Sequence, residues 1–137
     1  MRSDCFLDTN ILIYAAAGRS DEPHKFRIAY DLVLSRKFGT SGQVLAEFYH
    51  NLRRKAAVPP PLAEIDAWID RLAAHPFAPV DVALVRAGIV LSQRFRISYW
   101  DAALIAAAEW LGAPILYSED LSHNQVYGSV RVINPFL

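Results

Sequence analysis

With 137 residues, 14 basic and 14 acidic side chains and zero formal net charge, the chain fits one domain and lacks the global positive field of a general nucleic-acid binder. Apolar residues make up 53%, enough for a core without disulfides or structural zinc. Cys5 is the single cysteine, which excludes an internal disulfide, and the four histidines (His24, His50, His75, His123) have no zinc-ligand spacing. Residues 11–18 resemble a signal-peptide core, but Asp4 and Asp8 precede them and a basic n-region is almost absent. No apolar run is long enough to span a membrane, so a cytosolic protein is expected.

Residues 4–8 read as a buried strand ending on Asp8, with Thr9 or Asn10 able to cap the helix that follows. After a loop at 18–23, Phe26, Ala29, Tyr30 and Val33 repeat at helical spacing over 23–36. Residues 38–41 form a short strand leading into a helix capped near Ser41, with Val44, Phe48 and Leu52 as its apolar stripe and Arg53, Arg54 and Lys55 at its end. Three prolines at 59–61 break the chain, and Leu62, Ile65, Ile69 and Leu72 mark the next helix. Residues 77–80 are extended, although Pro79 weakens them as a central strand. Another helix carries Leu84, Gly88, Leu91 and Phe95, and residues 98–111 are apolar nearly all round, a pattern that predicts a buried helix ended by Gly112. Residues 115–117 and 130–133 are strands, with a turn or short helix at 118–123. Strands alternating with helices predict a single α/β domain over 1–137 with a mostly parallel sheet.

Four carboxylates recur at the starts and ends of these elements. Asp8 closes the first strand, where open α/β sheets place their chemistry. Glu47 borders the apolar stripe of its helix, where a carboxylate needs a partner or a metal. Asp101 follows Ser98 by three, close to a capping box, and opens the most apolar helix. Asp120 follows the strand 115–117 by way of Ser118 and Glu119. Each has a plain structural alternative: a helix cap for Asp8, Asp101 and Asp120, a solvated helix face for Glu47. Together they suggest a pocket for a hard divalent cation, which prefers oxygen ligands. Without metal such acids repel, and some should hold protons.

The segments Phe6-Leu7-Asp8-Thr9-Asn10-Ile11-Leu12, Thr40-Ser41-Gly42-Gln43-Val44-Leu45-Ala46-Glu47-Phe48, Tyr99-Trp100-Asp101-Ala102-Ala103-Leu104-Ile105-Ala106-Ala107-Ala108 and Leu116-Tyr117-Ser118-Glu119-Asp120-Leu121, in that order, resemble the PIN domain and its VapC-like ribonuclease toxins. The resemblance implies a three-layer α/β/α sandwich and Mg²⁺- or Mn²⁺-dependent endoribonuclease activity, as the toxin of a type II toxin–antitoxin module. It maps the family's four acids onto Asp8, Glu47, Asp101 and Asp120, with Glu119 a possible substitute for the fourth. Supporting polar positions fall on Thr9 or Asn10, Ser41 and Ser118, with Asn10 orienting the Asp8 carboxylate. It further implies an RNA substrate, a cognate antitoxin and a homodimer, and the apolar surplus agrees with such interfaces.

Arg53, Arg54 and Lys55, and Arg94 and Arg96 before Asp101, are candidates for holding an RNA backbone; solubility and helix-end charge are the alternatives. Two rival functions stand. An aspartate-based phosphotransferase also ends its first strand on an acid, but it calls for a second acid where this chain has Asn10, or for a lysine after a late strand. A non-catalytic interaction module would use the acids only as caps.

Overall fold

A computed structural model of the chain describes residues 2–56 and 58–137. In chain order the elements are β1 (Cys5–Leu7), α1 (Thr9–Ala17), α2 (Pro23–Ser35), β2 (Phe38–Ser41), α3 (Gly42–Lys55), α4 (Leu62–Ala73), β3 (Phe77–Ala78), α5 (Val82–Phe95), α6 (Tyr99–Trp110), β4 (Ile115–Tyr117), β5 (Val126–Tyr127) and β6 (Val130–Ile133). The sheet runs β3-β2-β1-β4-β6-β5. β1 pairs in parallel with β2 (Phe6 opposite Gly39) and with β4 (Phe6 opposite Leu116). β3 and β6 extend the parallel set on either side, and β5 closes one edge antiparallel to β6.

The order of strands explains the layers. From β1 the chain steps outward twice in one direction, to β2 and then β3, and then crosses to the far side of β1 to form β4. Right-handed crossovers put α1 to α4 on one face and α5 and α6 on the other, giving the α/β/α sandwich. Cys5, Phe6 and Leu7 are all buried because both faces of β1 are covered. Residues 102–108 of α6 are likewise all buried, as the apolar run predicts, and their small side chains allow close packing: Gly88 of α5 would bring a Cβ within 3.4 Å of the Ala103 backbone. Gly112, at φ +68°, follows α6 in the left-handed conformation that favours glycine.

Three local expectations change. The cap of α1 is Asp8, as its structural alternative held, and not Thr9 or Asn10, because the Asp8 side chain accepts the Thr9 N–H. The extended segment after Pro76 keeps only two strand residues, at the sheet edge. Trp110 lies at the end of the buried helix yet is 61% exposed, since the last turn of α6 runs beside the start of α5, where Ala83 and Ala87 offer little to cover an indole. No helix among the described residues is long and apolar enough to cross a membrane.

Candidate active site

The strand order reverses between β1 and β4, and a crevice opens beyond their carboxyl ends, as open α/β sheets dictate. Asp8 leaves β1 into that crevice in an extended conformation while its N–H donates to the Tyr117 carbonyl of β4 at 3.0 Å. Its Oδ1 accepts the Thr9 N–H at 2.7 Å, so the carboxylate sits on the N-terminus of α1. Its Oδ2 accepts the Ser118 hydroxyl at 2.7 Å and, more weakly, the Asn10 amide at 3.4 Å.

Two side chains tie Asp8 to Asp120. Ser118 Oγ also accepts the Asp120 N–H at 3.1 Å, and Asn10 Nδ2 donates to Asp120 Oδ2 at 3.0 Å. The Asn10 Oδ1 atom is buried and has no hydrogen-bond partner among the described residues. Across the cleft, Thr9 Oγ1 donates to Glu47 Oε2 at 3.2 Å, and Gln43, one turn earlier on α3, donates to Glu47 Oε1 at 2.9 Å. Glu47 thus has the partners its apolar border requires. Ser41 caps α3 through the Val44 N–H at 3.3 Å and so sets where Glu47 stands, without bonding to any of the acids.

Asp8, Glu47 and Asp120 line one open cleft of about 350 Å³, together with Glu119, Asp21 and Glu22. Asp101 does not line it. The Asp101 N–H donates to Ser98 Oγ at 3.1 Å, the cap predicted for it, and the nearest bond toward the other acids is from Gln43 to the Trp100 carbonyl at 3.3 Å. Arg53, Arg54, Arg94 and Arg96 are exposed. Arg53 and Arg54 lie on the stretch of α3 next to Asn51, a residue of the cleft wall, whereas Arg94 stacks on Phe95 away from the cleft. The side chain of Lys55 lies outside the described residues. Gln43, Tyr14 and Lys25 are site neighbours that the sequence reading missed. Only Gln43 left a signal, its helical spacing to Glu47.

Burial pushes the Asp8 carboxyl up from 3.8 to about 6. The Ser118 and Thr9 hydrogen bonds oppose this, and the charges of Asp120 and Glu47 add to it. A carboxyl raised on folding favours the folded state when protonated. Its contribution is present below pH 3.8 and is lost as pH rises through about 6. A shift of this size corresponds to roughly 3 kcal/mol. Metal-free protein should therefore lose stability from pH 4 to pH 7, as followed by urea unfolding, and Asp8→Asn should remove most of that loss. Parallel pH profiles for the two proteins would show that Asp8 is not held in this state.

The donor set suits a hard cation: every candidate ligand is an oxygen, and six carboxylates line a cleft whose described lining holds no lysine or arginine. Among the described residues no three His, Cys, Asp or Glu side chains form a ready cage. Mg²⁺ does not require one, because it keeps several waters and takes one or two carboxylates.

A parallel sheet with acids gathered at its switch point defines the class, an α/β protein with an acidic crevice. The PIN domain model matches residues 5–129, and the chain belongs to that family. No curated protein matches it. Among solved structures, VapC20 of Mycobacterium tuberculosis, described as a sarcin-ricin loop cleaving toxin, superposes with a TM-score of 0.67 at 23% identity, covering 85% of this chain and 89% of that one. A toxin–antitoxin complex from Klebsiella pneumoniae gives 0.68 at 16% identity over 96% and 97%. VapBC2 from Rickettsia felis, bound to promoter DNA, gives 0.65 at 16% identity over 93% and 96%. At these identities the superpositions establish a shared fold.

Proposed function

We propose that this protein is a Mg²⁺- or Mn²⁺-dependent endoribonuclease, the toxin of a type II toxin–antitoxin pair. The observation that carries the reading is the bridge of Asn10 and Ser118 between Asp8 and Asp120, facing Glu47 across one cleft at the sheet's switch point. PIN-family membership and the toxins among the structural neighbours support it.

In this reading the three acids Asp8, Asp120 and Glu47 would hold the cation, while Asp101 caps α6 outside their cleft. Once bound, the ion neutralises charge at the scissile phosphate and makes the attacking water more acidic. Ser118 and Asn10 fix the Asp8 carboxylate, and Thr9 and Gln43 fix Glu47, so the acids need little reorganisation when substrate arrives. Glu47 takes the proton of the attacking water. Attack on phosphorus breaks the bond to the 3′ oxygen, leaving 5′-phosphate and 3′-hydroxyl ends. Arg53 and Arg54, exposed on the stretch of α3 beside the cleft wall, are the side chains proposed to meet the RNA backbone. An antitoxin and a second copy of the chain are the proposed protein partners. Exposed Val80, Val82, Ile89 and Trp100 support an interface.

Purified protein incubated with total RNA in Mg²⁺ should produce discrete fragments carrying 5′-phosphates, and chelation should stop the reaction. Fragments that form equally well in excess chelator, or that end in 2′,3′-cyclic phosphate, would overturn the metal-dependent mechanism.

A further inference from the structure

Four segments meet behind one wall of the cleft, where Tyr14 of α1 and Glu119 after β4 line it and Lys25 of α2 and Phe136 beyond β6 back them. The Tyr14 hydroxyl donates to Glu119 Oε1 at 2.6 Å. Lys25 Nζ donates to Glu119 Oε2 at 3.0 Å and to the Tyr14 hydroxyl at 3.2 Å. The same ammonium lies 4.9 Å from the centre of the Tyr14 ring and 5.5 Å from that of Phe136, and those rings meet edge to face at 5.2 Å. This is the one ion pair among the described residues, and both partners are less than one-third exposed. Both carboxylate oxygens of Glu119 are therefore engaged, on the side of the loop facing α1 and α2. Asp120, the next residue, turns to Asn10.

Asp120 needs such an anchor. It is exposed, and it stands on a connection of bends and turns between β4 and β5. Its own ties are one side-chain bond to Asn10 and one backbone bond to Ser118. A ligand on an irregular loop is only as well placed as what supports the loop.

We infer that Glu119 is a positioning residue: clamped by Tyr14 and Lys25, it holds the loop after β4 so that Asp120, and not Glu119, faces Asp8. The inference deepens the proposed metal-dependent function and rests on it. Lys25 also neutralises Glu119, so this acid adds little to the repulsion at Asp8 and Asp120.

The test turns on sign. By Coulomb's law alone, removing a cation near a cation site should strengthen metal binding. If Lys25 acts by holding Glu119, Lys25→Met should instead weaken Mn²⁺ binding by about tenfold, the low end for residues that orient ligands. Glu119→Gln should do the same, and the double variant should be no worse than either single one, because both changes release one clamp. If Glu119 is itself the ligand, Lys25→Met will bind Mn²⁺ as well as wild type or better, and the inference fails. A second measurement does not depend on metal. In metal-free protein, amide exchange over residues 118–122 should be several-fold faster in both variants than in wild type. Unchanged exchange would overturn the clamp even in a protein that binds Mn²⁺. Faster exchange in the two variants, together with a wild type that binds no Mn²⁺, would keep the clamp and reject the metal-dependent function.

Discussion

Asp8→Asn should lower RNA cleavage by about 10³-fold, the scale of a lost electrostatic or proton-transfer contribution, while the protein remains folded. The substitution keeps a carbonyl oxygen to accept the Thr9 N–H, so the start of α1 keeps its cap. It removes the negative charge that the cleft exists to balance, and replaces the Oδ2 acceptor of Ser118 and Asn10 with a donor. Ser118 can rotate its hydroxyl to accept instead. Because burial and the neighbouring acids already oppose the Asp8 charge, the variant should be at least as stable as wild type at pH 7 without metal. The pair of outcomes, activity lost and stability kept, separates a functional carboxylate from a cap. A variant with wild-type cleavage rates would mark Asp8 as a cap alone, since Asn caps a helix as well as Asp.

The largest effect on stability should come from Phe6→Ala. Phe6 is fully buried at the centre of the sheet, paired across to Gly39 on one side and Leu116 on the other. Truncation leaves a cavity in a layer covered on both faces and should cost about 3–5 kcal/mol. Against a total stability of about 5–15 kcal/mol this is a large fraction, and the melting temperature should fall by roughly 10–15 °C. Phe6 lies on the strand that leads into Asp8, two residues ahead of it, so cleavage should fail at the temperature where the variant melts. A drop of only a few degrees by differential scanning calorimetry would mean that the centre of the sheet repacks around the loss.

Most of this architecture was legible because the signals are local. The cap serines, Ser41 and Ser98, mark α3 and α6 by accepting the N–H of Val44 and of Asp101, and the apolar run of α6 announces its burial. Glu47 was legible through its discomfort, a carboxylate at the edge of an apolar stripe. The features that escaped depend on distant parts of the chain. β5 has two residues and exists only because β6 lies beside it, so no periodicity could reveal it. The exposure of Trp110 depends on where α5 begins. The adjacent acids Glu119 and Asp120 look alike in sequence, and only Tyr14 and Lys25, brought in from two helices, distinguish them. Asp101 is the opposite case: its sequence signature of cap and carboxylate is clear, yet only its cap bond is formed and it stays outside the cleft that the other three acids line.

Calorimetric titration of metal-free protein with Mn²⁺, wild type beside Asp8→Asn, addresses the shared cation pocket most directly. The arrangement of Asp8, Glu47 and Asp120 calls for saturable binding by wild type and at least tenfold weaker binding by the variant. Wild type that takes up no Mn²⁺ at millimolar concentration, or two proteins that bind it equally, would contradict a cation site built on Asp8.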